Sequence, residues 1–351
     1  MNFNHNDKIK LIVSDVDGTL VDPYKKITPR TVAAVTAAQD TGCMVAIASG
    51  RTMCEMGEII EKLPNVHYFI CSNGAFVLDT STERVVYNET FTIEETLYLL
   101  SKLEQFDTFC EVYVGADIYG DRGKLTNFEA YVNAEISPLL RATRTFIDDL
   151  EAYIQQHNKG AEKVQTFYGT VANKHHIVEL FSQNPRFEVI ESSEGNIEIV
   201  PQGISKGRAV ENLAKSLGLT AANVATFGDS NNDLSMLRYA GISFSMANGE
   251  ETAKAAGKYM TASNADDGVA IGIEAILEHN KRVAETSVAE IPITSSFYIT
   301  DVCVTCGACA MDCPVQAITP GKDKYMIGKG CINCGDCYEI CPVGAVVKKE
   351  Q

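Results

Sequence analysis

Leu11-Ile12-Val13-Ser14-Asp15-Val16-Asp17-Gly18-Thr19-Leu20 is an apolar run that empties into two carboxylates. A run of this kind reads as a strand buried on both faces of a parallel sheet, and acids at its end need a reason. Asp15 and Asp17 are two residues apart, so an extended chain points both side chains the same way at the strand's carboxyl end. Such a pair attracts a hard cation. Mg2+ takes few protein carboxylates together with substrate phosphate oxygens, and its charge suppresses the repulsion that would otherwise raise one of the two pKa values. Gly18 lets the backbone turn close to a ligand.

Alone, Asp-x-Asp-Gly-Thr fits a turn in any protein, but three later stretches repeat the theme. Val45-Ala46-Ile47-Ala48 is followed by Ser49-Gly50-Arg51-Thr52, a strand end whose hydroxyl and backbone N–H groups suit phosphate oxygens. Ser205-Lys206-Gly207 places Ser205 as a helix N-cap and Lys206 as a point charge in the first turn. Val224-Ala225-Thr226-Phe227 runs into Gly228-Asp229-Ser230-Asn231-Asn232-Asp233, a second buried strand ending in acids. Converging strand ends are where open α/β sheets bind ligands.

In this order the four stretches resemble those of the haloacid dehalogenase superfamily of phosphatases. Ile70-Cys71-Ser72-Asn73-Gly74-Ala75, Pro201-Gln202-Gly203-Ile204-Ser205-Lys206-Gly207 and Ala265-Asp266-Asp267-Gly268-Val269 look more closely like its Cof-type hydrolases. The resemblance covers residues 8 to 280 and implies an α/β fold, a doubly wound Rossmann-like core at 1–83 and 201–280 with an inserted cap. It implies that Asp15 is the nucleophile and Asp17 the general acid and base. Mg2+ would be held by Asp15, Asp229 and the Asp17 carbonyl with Asp233 behind them, and Ser49, Gly50, Lys206 and Asn232 would hold the phosphate. Ser49 stands where threonine is also common in the family.

About a hundred and fifty residues separate Ser49-Gly50-Arg51 from Lys206, more than one or two βα units need. The insertion is placed at 84–200, with helical patterns near Ile93 to Phe106 and Asp148 to His157. Strand-like runs lie at Phe109 to Val114, Val164 to Tyr168 and Ile197 to Val200. It looks like the α/β type IIB cap of Cof-type enzymes, which would exclude water and contact the leaving group. His175-His176 reads as solvated surface, since neighbours share no face. Tyr113 and Tyr119 divide evenly between cap sheet and substrate contact.

Eight of the twelve cysteines lie near the end of the chain as Cys303-x2-Cys306-x2-Cys309-x3-Cys313-Pro314 and Cys331-x2-Cys334-x2-Cys337-x3-Cys341-Pro342. Zinc sites favour two pairs over runs of three. A disulfide framework wants an oxidising compartment, and no apolar N-terminal segment exports this chain. The spacing is that of a domain holding two 4Fe-4S clusters, with the fourth cysteine of each run crossing over. The resemblance to bacterial two-cluster ferredoxins assigns Cys303, Cys306, Cys309 and Cys341 to one cluster and Cys331, Cys334, Cys337 and Cys313 to the other. This small ferredoxin-like iron-sulfur domain is placed at 297–351, after a linker at 281–296. Val315, Ile318, Ile332, Ile340 and Val343 are expected to shield the clusters, and Tyr298 and Tyr325 to pack in the small core. Cys43, Cys54, Cys71 and Cys110 read as core residues.

The formal net charge is -16, with six acids against five bases in residues 294 to 351, so the acidity lies upstream and argues against nucleic acid as a partner. No apolar run reaches the roughly eighteen residues that cross a bilayer. The expectation is a soluble, cytoplasmic phosphatase acting on a small phosphorylated metabolite, with a redox partner protein for its clusters. An electron carrier using the phosphatase-like part as a ligand-binding scaffold, or a phosphomutase, are the alternatives.

Overall fold

The Leu11–Asp15 strand is buried along its whole length and lies fourth in an eight-stranded sheet. The computed structural model describes residues 3–193, 195–289, 295–328 and 330–349. The chain divides into two units, residues 1–280 and 281–351. In the first unit the sheet order is Tyr259–Met260, Ile242–Ser245, Val224–Gly228, Leu11–Asp15, Met44–Ala48, Tyr68–Cys71, Phe76–Asp79 and Arg84–Asn88. The first six strands are parallel and the last two antiparallel.

Alternate residues of the first strand serve opposite faces. Ile12 packs with Ala34, Val35 and Ala38 of the Pro29–Asp40 helix. Leu11 and Val13 pack with Ala209, Val210 and Leu213 of the Lys206–Ser216 helix. Burial of each large aliphatic side chain contributes roughly 1.5–3 kcal/mol, which is why the strand is apolar up to Ser14, whose hydroxyl donates to the Asp15 carbonyl. From this strand the sheet grows toward Met44–Ala48 on one side and toward Val224–Gly228 on the other. Asp15 therefore stands at the topological switch point, where a crevice opens. Gly18, at φ +83°, completes the turn, and a Cβ there would lie 2.3 Å from Asp229 Oδ2.

A second, six-stranded sheet has the order Phe187–Ser193, Asn196–Pro201, Lys163–Phe167, Phe109–Val114, Asp117–Asp121 and Thr145–Ile147. Its apolar face, with Val112, Val164, Ile197 and Ile199, packs on Leu99 and Leu103 of the Ile93–Leu103 helix and Ile177 and Phe181 of the Val171–Ser182 helix. Strand alternation sends Glu111, Tyr113, Lys163, Gln165 and Glu198 to the other face. The first of these helices starts with a reciprocal cap, Thr92 Oγ1 accepting from Glu95 N and Glu95 Oε2 from Thr92 N. Asp149 caps the Leu150–His157 helix.

Two expected boundaries move. Arg84–Asn88 pairs antiparallel with Phe76–Asp79, so it completes the larger sheet and the excursion into the cap follows it. The helix that begins at Gly268 runs to Ala289, so residues 281–289 of the expected linker are helical. Lys281-Arg282-Val283-Ala284-Glu285 has no breaker, and its charges mark solvated helix turns. Residues 290–294 of that linker lie outside the described residues. Among the described residues no helix is long and apolar enough to cross a membrane.

The second unit is built twice over at an offset of 28 residues. Phe297–Ile299 pairs with Val346–Lys348 and Ile318–Pro320 with Tyr325–Ile327, around the short helices Ala308–Met311 and Asp336–Ile340. Left-handed backbone recurs at matched positions: Thr305 and Asn333, Gly307 and Gly335, Gln316 and Gly344. Ile299, Ile318, Ala345 and Val346 with Cys309 and Cys337 form its buried apolar cluster. Of the expected shield only Ile318 is buried, while Val315, Ile332, Ile340 and Val343 are exposed, because so small a unit has more apolar side chains than interior. Tyr298 is also exposed, its strand neighbours Phe297 and Ile299 taking the inward face, whereas Tyr325 lies against the Gly307 turn.

A core this small needs a bound group to hold it. Stripping iron anaerobically with a chelator is expected to open residues 295–349 to proteases while residues 1–280 of the same chain stay protected. Equal protection before and after would show that the second unit holds itself together.

Candidate active site

Three strand-end or turn carboxylates and one lysine meet under the switch point. Lys206, the first residue of its helix, is fully buried, and its Nζ donates to Asp15 Oδ1 at 2.6 Å and to Asp233 Oδ1 at 2.7 Å. Ser205 caps that helix by accepting from Arg208 N, as the sequence predicts. Asp233 Oδ2 accepts from Asp229 N and Ser230 N at 2.9 and 3.1 Å, so both its oxygens are engaged. Asp229 Oδ1 accepts from Thr19 Oγ1 at 2.8 Å. Asp15 Oδ2 is buried and has no hydrogen-bond partner among the described residues.

Burial drives the Asp15 pKa up to about 8; Lys206 pulls it down, and Asp233 and Asp229 push it up again. Burial likewise raises Asp229. For Lys206, burial works against the ammonium, but the charges of Asp15 and Asp233 outweigh it and hold the pKa above the usual lysine value. What these acids lack is further positive charge. Ligand oxygens of Asp15, Asp229 and Asp233 lie within 4.8 Å of one another, an oxygen set that a small hard cation fits.

Asp17 faces elsewhere. Its Oδ2 accepts from Arg51 Nε at 2.9 Å, and its Oδ1 accepts from Arg51 Nη2 at 2.7 Å and Lys25 Nζ at 2.8 Å. Burial opposes the charge, but these bonds prevail and hold the Asp17 pKa below the ordinary carboxylate value. Ser49 Oγ accepts from Arg51 N, closing the loop after its strand. A Cβ on Gly50 would lie 3.1 Å from Asn73 Oδ1, which also accepts from Asn232 Nδ2 at 3.1 Å.

Asp15, Asp17, Ser49, Gly50 and Asn232 line one cavity of about 300 Å3, and Lys206 lies behind Asp15 rather than at its surface. The roof is the polar face of the smaller sheet. Lys163 Nζ donates to Glu198 Oε1 at 2.9 Å, and Asn73 Nδ2 reaches Glu198 Oε2 at 3.4 Å across the seam. Tyr113 joins this roof, while Tyr119 packs at a tilt against Tyr153, ring centres 4.2 Å apart, and belongs to cap packing. His175 and His176 are exposed on their helix. A larger cavity of about 560 Å3 lies within the cap among Leu100, Leu103, Cys110 and Leu150; none of the predicted catalytic or phosphate-binding residues lines it.

The sequence reading missed Asn73, Arg144, Lys163 and Glu198. Alternation in Lys163-Val164-Gln165-Thr166-Phe167 marks a polar face, but only the fold turns that face toward Asp15.

In the second unit one cavity is lined by Cys313 together with Cys331, Cys334 and Cys337. Burial and then the neighbouring Cys303, Cys341 and Cys306 raise the Cys309 thiol; burial and then Cys331 and Cys334, with Cys309 and Cys313 further down, push Cys337 up to about 11. Ala317 N donates to Cys313 Sγ at 3.3 Å and Ala345 N to Cys341 Sγ at 3.2 Å, bonds that recur at the 28-residue offset. Of the remaining cysteines, Cys43 and Cys71 are buried and Cys54 and Cys110 half-buried.

The sequence profile of the haloacid dehalogenase-like hydrolases matches residues 12–273, and that of the 4Fe-4S dicluster domain matches residues 302–345. Phosphatase YwpJ of Bacillus subtilis (strain 168) is 30% identical over 279 residues, covering 75% of this chain and 98% of YwpJ. The 5-amino-6-(5-phospho-D-ribitylamino)uracil phosphatase YcsE of the same organism is 28% identical over 265 residues, covering 76% and 94%. The crystal structure of a haloacid dehalogenase-like hydrolase from Bacteroides thetaiotaomicron superposes with a TM-score of 0.67 at 26% identity, over 77% of this chain and all of that one. The chain thus belongs to the haloacid dehalogenase-like hydrolases, as a Cof-type phosphatase that carries a 4Fe-4S dicluster domain behind its catalytic part.

Proposed function

We propose that this phosphatase hydrolyses a small phosphomonoester, a sugar phosphate or similar, through an aspartyl-phosphate on Asp15. The observation that carries the reading is the orphaned Asp15 Oδ2, held at the switch point while Lys206 fixes the other oxygen. In the first step Asp15 Oδ2 bonds to phosphorus and the bond from phosphorus to the leaving oxygen breaks. In the second, water adds to phosphorus, Asp17 takes its proton, and the Asp15 carboxylate is released. The grip of Arg51 and Lys25 keeps Asp17 in the ionised form that the second step needs; giving a proton to the leaving oxygen in the first step requires that grip to relax. Ser49, Gly50 and Asn232 border the cavity where the nonreacting phosphoryl oxygens would sit. Asp15, Asp229 and the Asp17 carbonyl would hold Mg2+, with Asp233 behind them, and the ion would supply positive charge to the transferring group.

The roof supports a polar, hydroxyl-rich leaving group. Gln165, Glu198 and Lys163 offer donors and acceptors, and the Lys163 ammonium sits 4.0 Å from the centre of the Tyr113 ring. That ring face is taken, so a flat heterocycle such as the aminouracil named for YcsE finds no open aromatic surface on Tyr113. For the second unit we propose two 4Fe-4S clusters, one on Cys303, Cys306, Cys309 and Cys341 and one on Cys331, Cys334, Cys337 and Cys313, serving electron transfer or redox sensing with a partner protein. The cavity shared by Cys313 and the second run supports this division.

Asp15→Asn is expected to abolish phosphate release from a sugar phosphate panel without lowering the melting temperature, and turnover by the folded variant would sink the mechanism. Asp17→Asn should lower kcat by roughly two to four orders of magnitude. EDTA should stop turnover and added Mg2+ restore it; indifference to both would remove the metal from the reading. Anaerobic assays with the clusters oxidised and then dithionite-reduced decide their bearing on catalysis: a rate that follows cluster state makes them a sensor, and an unchanged rate leaves electron transfer.

A further inference from the structure

Arg144 is a buried cation in the cap to which the phosphoryl chemistry gives no task. It follows the Ser137–Thr143 helix, and its side chain is 3% exposed. Its Nε donates to Glu111 Oε1 at 2.9 Å and its Nη1 to Glu55 Oε1 at 2.6 Å. Glu111 lies on the Phe109–Val114 strand of the cap. Glu55 lies across the seam, on the turn Met53–Glu55 just after Ser49-Gly50-Arg51-Thr52.

This short core segment is tied to the cap at two further points. Thr52 Oγ1 donates to the Gly115 carbonyl and Cys54 N to the Ala116 carbonyl, both at 3.2 Å. Among the described residues, only the Arg144 tie of these three is charged. The second Glu55 oxygen accepts from Thr52 N at 3.1 Å, which stiffens the turn from inside. One residue earlier stands Arg51, whose fork holds Asp17. Anything that shifts residues 52–55 therefore shifts the anchor of that fork.

Resting on the phosphatase reading above, we propose that Arg144 is a positioning residue. By joining Glu111 to Glu55 it fixes the 51–55 segment against the cap, so that cap seating sets where Arg51 holds Asp17. Arg144 borders the same cavity as Asp15 and Asp17, beside Glu55, and the positioning role proposed for it runs through Glu55.

The test is a double-mutant cycle on the full chain with Arg144→Met and Glu55→Gln, assayed with p-nitrophenyl phosphate and with a hexose phosphate. Each single change is expected to lower kcat for both substrates by about tenfold to a hundredfold, with KM little moved, since small misplacements of a reacting site act on turnover. The double variant should be no worse than the poorer single one within about twofold, because both cuts sever one link. Losses that multiply, or that fall on KM for the hexose phosphate alone, would overturn the proposal. Amide hydrogen exchange of residues 51–56 should quicken alike in both single variants, and unchanged exchange would also overturn it. Arg144→Met takes away the ion-pair partner of Glu111, so Arg144→Met with Glu111→Gln serves as a charge-balanced control: a near-native melting temperature with a still-loosened segment is expected, and a segment as tight as in the native chain counts against the proposal. Inactivity of the unaltered protein toward every phosphomonoester would refute the phosphatase reading, while the exchange measurement still decides Arg144.

Discussion

Everything in the catalytic unit is arranged around an ammonium ion that has been taken out of water. A buried cation is tolerated only where paired charges and hydrogen bonds replace its solvent, and Lys206 finds them in Asp15 and Asp233. That demand brings the ends of three chain segments to one point: the first strand, the turn after Val224–Gly228, and the start of the Lys206–Ser216 helix. The pairing leaves an excess of negative charge, since Asp229 lies beside it without a cation of its own. The same feature that makes the site costly to fold suits it to the small hard cation that the proposed mechanism uses.

The cap answers a different constraint. A sheet with one face on its own helices must present the other face somewhere, and here that face is polar because it roofs a charged cavity. Glu111, Lys163 and Glu198 are buried, yet each has an oppositely charged partner within hydrogen-bond distance. Such pairs add little net stability, but they fix geometry, because leaving either partner alone in that environment is heavily disfavoured.

Much of the catalytic unit was legible in the chain because its signal is local. An apolar run ending in Asp15-Val16-Asp17-Gly18, or in Gly228-Asp229, announces a strand end and its chemistry within ten residues. What was not legible depends on partners far away in sequence. Arg84–Asn88 looks like any short strand, and only its pairing with Phe76–Asp79 assigns it to the larger sheet. Arg51 is plain in the sequence, but its bonds to Asp17, 34 residues off, follow from two loops meeting over the crevice. Lys163 and Glu198 meet because two cap strands pair in one register, with Ile199 opposite Val164. In the second unit, cysteine spacing carried the chemistry, whereas the fate of Val315 and Ile332 depended on how little interior that unit has.

The 28-residue duplication of the second unit also bears on how it fails. Cys341 sits with the thiols of the first run, and Cys313 lines the cavity of the second. Under the proposed ligand division the two halves are laced: each lends a cysteine to the other's cluster. Under that division, oxidation of one cysteine would loosen a cluster held by both halves of the unit.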